Sequence, residues 1–365
     1  YSLLYCMRII INFNHLKTLY IFLITLSLTI FFFSTIKVNA NTFSIDNIEI
    51  SKPFEIKFDK SQIIDKGFDK AFFELMSLIL NNSDQSKIKN TRLNEIKGMV
   101  ETFSIKEEKF INEIYYVNLG VSFNKKKVFN YLEKKNIFPS IPSKKTFLFI
   151  PIVIDEKKKD LLLFSNNKIF DLWSDFKEKH HLLDYILPTE DIEDFNLIKD
   201  KFESIEDYDF KEISKKYFLK DIIVALIFKN EKEVRVLSKI SINETIQLKN
   251  QSFDNTDITD DDQVKQIIKQ LKIMYEDYWK KLNKINTSIK LPLLIKVKHS
   301  DNSKISSFED TLNKKDLVNN FLISKFDKNY IFYRIIFNGT PTEFLKSMSY
   351  DNYFFNTDKK TWVLK

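Results

Sequence analysis

The pattern of apolar and polar positions after residue 40 predicts three successive units, each built from a small sheet and helices. In the first unit, 41–143, the alternation Phe43-Ser-Ile45-Asp-Asn-Ile48-Glu-Ile50 is typical of a half-buried strand. The remaining predicted elements are helices over 61–80 and 91–100, strands over 102–105 and 114–123, and a short helix capped by Asn124. Pro139 and Pro142 predict a linker at the end of this unit.

The second predicted unit, 144–288, opens with the apolar run from Phe147 to Ile154, which indicates a strand buried on both faces. Pro151 in this run indicates an edge position or a bulge, because proline lacks the N–H that a central strand needs. The later elements are a helix around 171–179, an irregular acidic stretch to 209, strands over 222–228, 234–240 and 244–248, and a long helix over 261–285. The apolar face of that long helix, which is expected to lie on a sheet, contains Val264, Ile267, Ile268, Leu271, Met274, Tyr278, Leu282 and Ile285.

The third predicted unit, 289–365, has the order strand, helix, strand, strand, helix, strand. The predicted bounds are 291–297, 307–317, 321–326, 330–337, a helix that begins at Thr340, and a last strand over 353–364. Ser307-x-x-Asp310 and Thr340-Pro341-Thr342-Glu343 are capping patterns at the two helix starts. The order βαββαβ predicts a ferredoxin-like sandwich. The expected fold class is therefore α/β and α+β, in three small sheet-plus-helix units.

Residues 1–40 have the organisation of an export signal. A basic region from Met7, the expected initiator, to Lys17 precedes the uncharged segment 18–36. Val38 and Ala40 then occupy the −3 and −1 positions of a signal-peptidase site, which predicts a mature chain that begins at Asn41. The alternative is an uncleaved signal anchor, because the apolar segment exceeds the usual ~7–15 residues and ~17–25 residues span a bilayer. Cys6 is the only cysteine, so a lipoprotein, an intrachain disulfide and a cysteine metal site are excluded.

Composition excludes some classes of ligand. The chain has four glycines and no Gly-rich phosphate loop. Its net charge of +7 suggests nucleic acid, yet the basic side chains are nearly all lysine and only four are arginine, the residue best suited to phosphate and guanine. The chain is also rich in Ile, Asn and Phe, so a bias toward AT-rich codons explains the lysines more simply. No nucleic-acid binding is predicted.

The acidic segment 254–262 contains the candidate metal ligands Asp254, Asp257 and Asp260, because hard carboxylate oxygens suit calcium. The segment lacks the spacing, the glycine and the final glutamate of an EF-hand. The simpler interpretation is that Thr259 or Asp260 caps the long helix. No metal and no cofactor are therefore expected.

Other candidate residues favour structural roles. His180 and His181 follow the helix around 171–179 and point in different directions, so a shared metal is not expected and a charge interaction with the helix end is favoured. Trp173, Trp279 and Trp362 are expected to pack in cores. The chain has 50 acidic residues, and nothing singles out a catalytic pair among them.

Several short segments occur in a characteristic order: Val121-Ser-Phe123, Tyr131-Leu132, Phe138-Pro139, Phe149-Ile-Pro151, Asp171-Leu-Trp173 and Trp362-Val-Leu364. This order resembles the bacterial envelope family described as domain of unknown function 2066, although this chain is poorer in arginine and glycine. The resemblance covers nearly all of 41–365. It implies a Gram-negative periplasmic protein with a signal peptide and without catalytic residues to carry over.

Together these observations favour an exported protein of the cell envelope that acts by protein–protein contact or assembly in the periplasm and is not an enzyme. Small sheets with free edges suit the addition of a partner's strand. Two alternatives stay open. One is a hydrolase that uses carboxylates in a cleft between the first two units, and the other is an inner-membrane protein anchored by residues 18–36. The expected partners are envelope proteins.

Overall fold

Three β-sheets with their helices make up the described part of the chain, in agreement with the predicted α/β and α+β class. The structure is a computed structural model that describes residues 43–365 except 56–57, 176–181, 231–232 and 300–301. Residues 43–365 form one compact unit. One sheet falls within each predicted unit, whereas the boundaries 41–143, 144–288 and 289–365 as domain limits stay predictions.

The first sheet has three antiparallel strands in the order β1-β3-β2. Its elements are β1 (Ser44–Pro53), α1 (Lys60–Ile79), α2 (Asn82–Gln85), α3 (Leu93–Met99), β2 (Val100–Ile111), β3 (Ile114–Phe123) and α4 (Lys125–Lys134). The helix α1 packs closely on the sheet, since a Cβ at Gly67 would lie 2.3 Å from Leu119 Cδ1. The strand predicted over 102–105 is too short, since β2 has twelve residues. Nearly all of them are exposed, so the sequence lacks the alternation of buried and exposed positions that marks a strand.

The second sheet has six strands. The order is β5-β4-β7-β8-β9, with β6 also paired to β4. Its elements are β4 (Lys145–Asp155), β5 (Asp160–Leu162), α5 (Lys168–Trp173), β6 (Leu183–Ile186), α6 (Ile192–Lys199), α7 (Lys211–Lys216), β7 (Ile222–Lys229), β8 (Glu233–Ile242), β9 (Thr245–Asp254) and α8 (Asp261–Leu282). The meander and the long helix are confirmed. The segment up to residue 209 was expected to be irregular. That prediction is wrong, because the segment contains β6 and α6.

Pro151 lies in the middle of β4, at a notch in the outer edge of that strand. Leu148 donates its N–H to the carbonyl oxygen of Asp221, the residue before β7, so with the two-residue period of a strand the nitrogen of Pro151 faces away from β7. On that outer side the pairing of β4 with β6 ends at Leu148, and its pairing with β5 covers only Val153 to Asp155. The missing N–H of Pro151 therefore falls where no strand of the described chain needs it, which agrees with the predicted edge-like position.

Two predictions about the helices that accompany the second sheet are wrong. The helix expected around 171–179 is α5, which begins earlier because Asn167 caps it and ends at Trp173; residues 176–181 lie outside the described residues. The buried face of α8 also rotates along its length. Leu282, expected in the core, is 51% exposed, whereas Lys272, Glu276 and Lys280 are buried.

The third sheet has five strands in the order β11-β12-β10-β14-β13. Its elements are β10 (Leu291–Lys298), α9 (Asn302–Lys314), β11 (Val318–Phe326), β12 (Tyr330–Phe337), α10 (Pro341–Ser349), β13 (Phe355–Asn356) and β14 (Thr361–Leu364). The hairpin and the capping box of α10 are confirmed. The helix start at Ser307 is wrong, because α9 already begins at Asn302.

The ferredoxin-like detail is not confirmed, because the chain ends differently from the predicted single strand over 353–364. A single crossover through α10 would return the chain parallel to β12 and so antiparallel to β10. Instead α10 leads to the short edge strand β13. The chain then turns back, and β14 pairs parallel with β10, with Trp362 opposite Ile295.

The C-terminal end of α8 ties the second sheet to the first. Lys280 Nζ donates to Ser77 O at 2.5 Å, and Asp277 Oδ1 accepts from Asn82 N at 2.8 Å. Just beyond the helix, Ile285 is buried in the core of the first sheet and donates its N–H to Pro139 O at 2.8 Å. The predicted linker is therefore held by a short pairing with the segment that follows α8.

Candidate functional site

The strand β2 is the most exposed regular element of the first sheet and the last strand on its side within the described residues. It pairs with β3 through a hairpin whose two turn residues, Asn112 and Glu113, have φ of 51° and 60°. Positive φ at both positions is the type I′ turn that matches the twist of a hairpin. The pair Ile111 and Ile114 beside the turn exchanges both hydrogen bonds, so the main-chain groups of Phe110 and Glu108 point away from β3.

The helix side of β2 carries apolar side chains that α1 covers only in part, since the ring of Phe103 meets that of Phe68 in α1 edge-to-face at 5.1 Å. Phe103 and Ile105 stand opposite the buried Val121 and Leu119, and Phe110 stands opposite Tyr115, so all three lie on the side of α1. The exposed fractions are 47% for Phe103, 38% for Ile105, 57% for Phe110 and 50% for Ile111. We call the side chains of Phe103, Ile105 and Phe110 the β2 apolar strip, whereas the side chain of Ile111 projects from the opposite face. An exposed apolar strip along an edge strand is a feature of interaction surfaces.

Aromatic packing extends the strip at the hairpin end of the sheet. The ring of Phe110 meets that of Phe54 edge-to-face at 5.0 Å, and Phe54 lies 4.7 Å from Phe58. Phe54 is itself 53% exposed and donates its N–H to Glu113 O. The hydrogen bond from Phe54 to Glu113 joins the end of β1 to the hairpin turn. It keeps the rings of Phe54, Phe58 and Phe110 together at the surface.

A charged group flanks the strip and fixes β2 against α1. Lys60 Nζ lies 2.8 Å from Glu108 Oε1, which also accepts from the Tyr115 hydroxyl at 2.8 Å. The hydrogen bond from Lys60, and then that from Tyr115, lowers the pKa of Glu108. Burial, and then the bond to Glu108, raises the pKa of Tyr115.

The opposite face of the same sheet is polar. Lys106 of β2 and Asp46 of β1 form a salt bridge of 2.6 Å across the central strand β3. Gly120 of β3 leaves room for this bridge, because a Cβ there would lie 2.8 Å from Asp46 Oδ1. Lys106 also marks a bulge, since the register with β3 shifts between Ile105 and Glu107. Bulges and lysines limit uncontrolled pairing at sheet edges, so a partner strand would meet two regular stretches on either side of Lys106.

The candidate metal ligands Asp254, Asp257 and Asp260 take part in local capping and turn contacts. Asp260 caps α8, accepting from the N–H groups of Asp262 and Gln263 at 2.9 and 3.0 Å, as the capping interpretation predicted. Asp257 accepts from Thr259 N, and that hydrogen bond lowers its pKa. Asp254 is the last residue of β9, opposite Glu233. Among the described residues, no group of three or more His, Cys, Asp or Glu is placed to hold a metal ion.

The tryptophans take the expected core positions to different degrees. Trp173 is buried and stacks on Phe149 with ring centroids 3.7 Å apart. Trp279 is partly buried and donates its ring N–H to Ser143 O at 2.7 Å, while Trp362 is partly buried against the third core. Lys272 also lies over the ring of Trp173, with its Nζ 4.9 Å from the centroid.

Several sequence-based candidates lie outside the described residues. These are the cleavage-site residues Val38, Ala40 and Asn41, the apolar segment 18–36, and the pair His180 and His181. Within the part of the chain that the structure describes, no helix has the length and apolarity needed to cross a bilayer.

The comparison with models of protein families and the comparison with curated proteins both returned no match. The likeness to the envelope family described as domain of unknown function 2066 rests on the residues quoted above and stays a prediction.

The sequence analysis did not single out the β2 apolar strip. One usable signal was Asn112-Glu113 between two runs that contain Phe110, Ile111 and Ile114, because asparagine accepts the positive φ of a tight hairpin turn. The second signal was the recurrence of apolar residues at Phe103, Ile105 and Phe110 among charged ones, which suits a strand with one apolar side.

Proposed function

We propose that this protein acts by protein–protein contact at the cell envelope and receives an extended segment of its partner beside β2. The β2 apolar strip carries this proposal. Main-chain groups of Phe110 and Glu108 that point away from β3 would pair with the incoming strand. Side chains of the partner would cover Phe103, Ile105 and Phe110, which α1 leaves partly exposed.

The charges around the strip favour a partner of mixed charge. Within β2, Lys106 and Lys109 flank Glu107 and Glu108, and all four residues are in salt bridges. Opposite charges across strands stabilise pairing and like charges oppose it. The selectivity of the edge would then come from charge order and its affinity from the apolar strip.

The envelope location rests on the sequence of residues 1–40. A cleaved signal would release the protein into the periplasm, and an uncleaved one would leave it attached to the inner membrane through residues 18–36. Both place β2 on the same side of the membrane. Mass spectrometry of the protein recovered from cells distinguishes them. We expect a mature N-terminus at Asn41; a mass that retains residues 18–36 would contradict cleavage and favour the anchor.

The test of the binding proposal is affinity capture from envelope extracts with the double variant Ile105→Lys and Phe110→Lys. Two lysines on the strip would oppose burial of the apolar edge, so we expect the partner held by the wild type to be lost. Both side chains are exposed, so the fold should persist, which far-UV circular dichroism checks.

A matched control is the double variant Ile246→Lys and Leu248→Lys on β9, the free edge of the second sheet among the described strands. These side chains are 55% and 51% exposed, close to those on β2. We expect this variant to retain the partner. Loss of the partner in both variants, or in neither, would contradict a role for β2.

A further inference from the structure

The notch in the outer edge of β4 contains a second feature, separate from β2. Beside Pro151 a pocket opens between the helices and this edge, enclosing about 280 Å³ of empty space with its mouth included. Its walls are almost entirely apolar and include Ile150, Pro151 and Ile213. At its mouth the half-buried rings of Phe164 and Phe170 meet edge-to-face at 5.8 Å. The enclosed part of the pocket has room for about one water molecule. A larger ligand can therefore enter only if the rings of Phe164 and Phe170 turn aside.

One polar side chain lines this apolar pocket. Asp194, in the first turn of α6, is only 2% exposed. Its Oδ1 accepts from Lys216 Nζ at 2.7 Å, while its Oδ2 has no hydrogen-bond partner among the described residues. A buried carboxylate oxygen without a donor is costly, which makes Oδ2 a ready acceptor for a donor that enters the pocket.

The charges around Asp194 select the kind of donor. Lys216 already neutralises this carboxylate and also bonds Asp191 Oδ2 at 3.0 Å. A second cation would be repelled by the Lys216 ammonium group, and an anion would be repelled by Asp194 itself. The apolar walls would leave any further polar group of a ligand unpaired. A water molecule meets these conditions in the pocket as it stands, and a neutral molecule with one hydroxyl on a compact apolar body meets them once the rings of Phe164 and Phe170 turn aside.

We propose that the notch between β5 and β6 binds a small neutral ligand whose hydroxyl donates a hydrogen bond to Asp194 Oδ2. The ligand class is that of phenol and compact alcohols. This site is independent of strand addition at β2, because it lies on another sheet and uses none of its residues.

The test compares phenol with toluene on the full chain, by isothermal titration and by chemical shifts of isotope-labelled isoleucine methyl groups. The two probes have the same size and differ only in the hydroxyl, which isolates its hydrogen bond to Asp194. We expect phenol to bind at least about tenfold more tightly than toluene and to shift the methyl signals of Ile150 and Ile213. Equal affinity of the two probes, or no shift at these residues, would overturn the proposal.

Variants locate the interaction. Asp194→Asn keeps the size of the side chain but places an amide where the acceptor was, so we expect the preference for phenol over toluene to disappear. Asp191→Asn is the matched control, since Asp191 shares Lys216 but does not line the pocket, and its preference should equal that of the wild type. An Asp191→Asn variant that loses the preference equally would overturn the proposal.

Ile213→Phe provides a second, purely steric test, because its ring would fill the pocket. We expect both probes to stop binding while the circular dichroism spectrum stays that of the wild type. If Asp194→Asn fails to fold, this variant and the comparison of phenol with toluene on the wild type still decide the proposal. Undiminished binding to Ile213→Phe would show that the probes occupy another place.

Discussion

Residues that look alike in the sequence have different roles in this protein, and the acidic segment before α8 shows why. Asp260 caps the helix, Asp257 organises the turn before it, and Asp254 ends β9. The capping role followed from the sequence, because an aspartate directly before a long periodic helix satisfies its first free N–H groups.

The first prediction concerns this cap. Asp260→Ala removes the acceptor for two main-chain N–H groups, so we expect the free energy of unfolding to fall by about 1 kcal/mol. Urea unfolding measures the change. Asp254→Ala, which removes a nearby carboxylate that is not the cap, should cost much less. Equal losses in the two variants would contradict the capping role.

The second prediction concerns pH and the carboxyl group of Glu108. Lys60 and Tyr115 lower its pKa, so its bonds stabilise the folded state above the unfolded pKa. That contribution is lost as the pH falls through the lower folded pKa. We therefore expect Glu108→Gln to be less stable than the wild type at pH 7, and the two to converge as the pH falls from about 4 towards 2.

Acid unfolding of both proteins at low salt measures this difference. The group is exposed, so the difference should also shrink in 1 M salt, where the Debye length is about 3 Å. A difference that stays constant down to pH 2 would contradict a role for the ionised carboxylate.

Some residues could not be placed from the sequence. Lys272, Glu276 and Lys280 recur every four positions on α8 and are typical of a solvated face, yet all three are buried. Lys272 Nζ donates to Trp173 O at 2.9 Å, and Glu276 Oε1 accepts from Leu182 N at 3.1 Å. The positions of these hydrogen-bond partners depend on how α5, the residue before β6 and the first sheet meet α8, which no local pattern encodes.

At the scale of the element, prediction succeeded where one face of a helix or strand is buried. The helix α1 and the strand β8 have a continuous apolar side, which gives a clear period. The strand β2 was mostly missed because it is exposed along its length. The sequence predicted a single closing strand, because apolar residues occur both before and after the turn that separates β13 from β14. The direction of the chain after that turn depends on the pairing of β14 with β10.

The same dependence limited the prediction of the candidate site. The β2 apolar strip exists because α1 covers the other strands and covers this edge only in part, through the contact of Phe68 with Phe103, and Phe103 and Ile105 alone do not indicate which strand a helix will cover. The pocket at Asp194 was equally hidden, because its walls come from segments far apart in the chain.

The third prediction uses two helical glycines with opposite surroundings. A Cβ at Gly67 of α1 would lie 2.3 Å from Leu119 Cδ1, whereas a Cβ at Gly98 of α3 would meet nothing within 4 Å. Alanine normally stabilises a helix relative to glycine by about 0.5–1 kcal/mol. We expect that gain for Gly98→Ala. For Gly67→Ala we expect a loss of about 1–3 kcal/mol, because the buried Leu119 must move within a packed core.

Thermal and urea unfolding of the two variants measure these opposite signs. Gly98→Ala serves as the control for Gly67→Ala, since the two changes are chemically identical. A stabilised Gly67→Ala would show that α1 does not approach the sheet as closely as the structure has it.

At the scale of the whole described unit, α8 belongs to two sheets at once. Its N-terminal half packs on the second core through Val264, Ile267 and Leu271. Its C-terminal half binds the first sheet through Lys280, and burial lowers the pKa of that lysine. Loss of the first core would leave this buried half of the helix in water, so the two sheets should unfold together.

The last prediction tests this coupling with a change in the core of the first sheet. All three tryptophans lie in the second and third sheets and their helices, so their fluorescence does not report directly on the first core. Leu75→Ala, in the C-terminal part of α1, removes a fully buried side chain from that core and should cost about 2–5 kcal/mol. We expect the urea midpoint from tryptophan fluorescence to fall together with that from circular dichroism. Leu282→Ala, at an exposed position on α8, should change the free energy of unfolding from either probe by less than about 0.5 kcal/mol. An unchanged fluorescence midpoint in Leu75→Ala would mean that the first sheet unfolds alone, and the contacts of α8 with Ser77 and Asn82 would then not couple the two sheets.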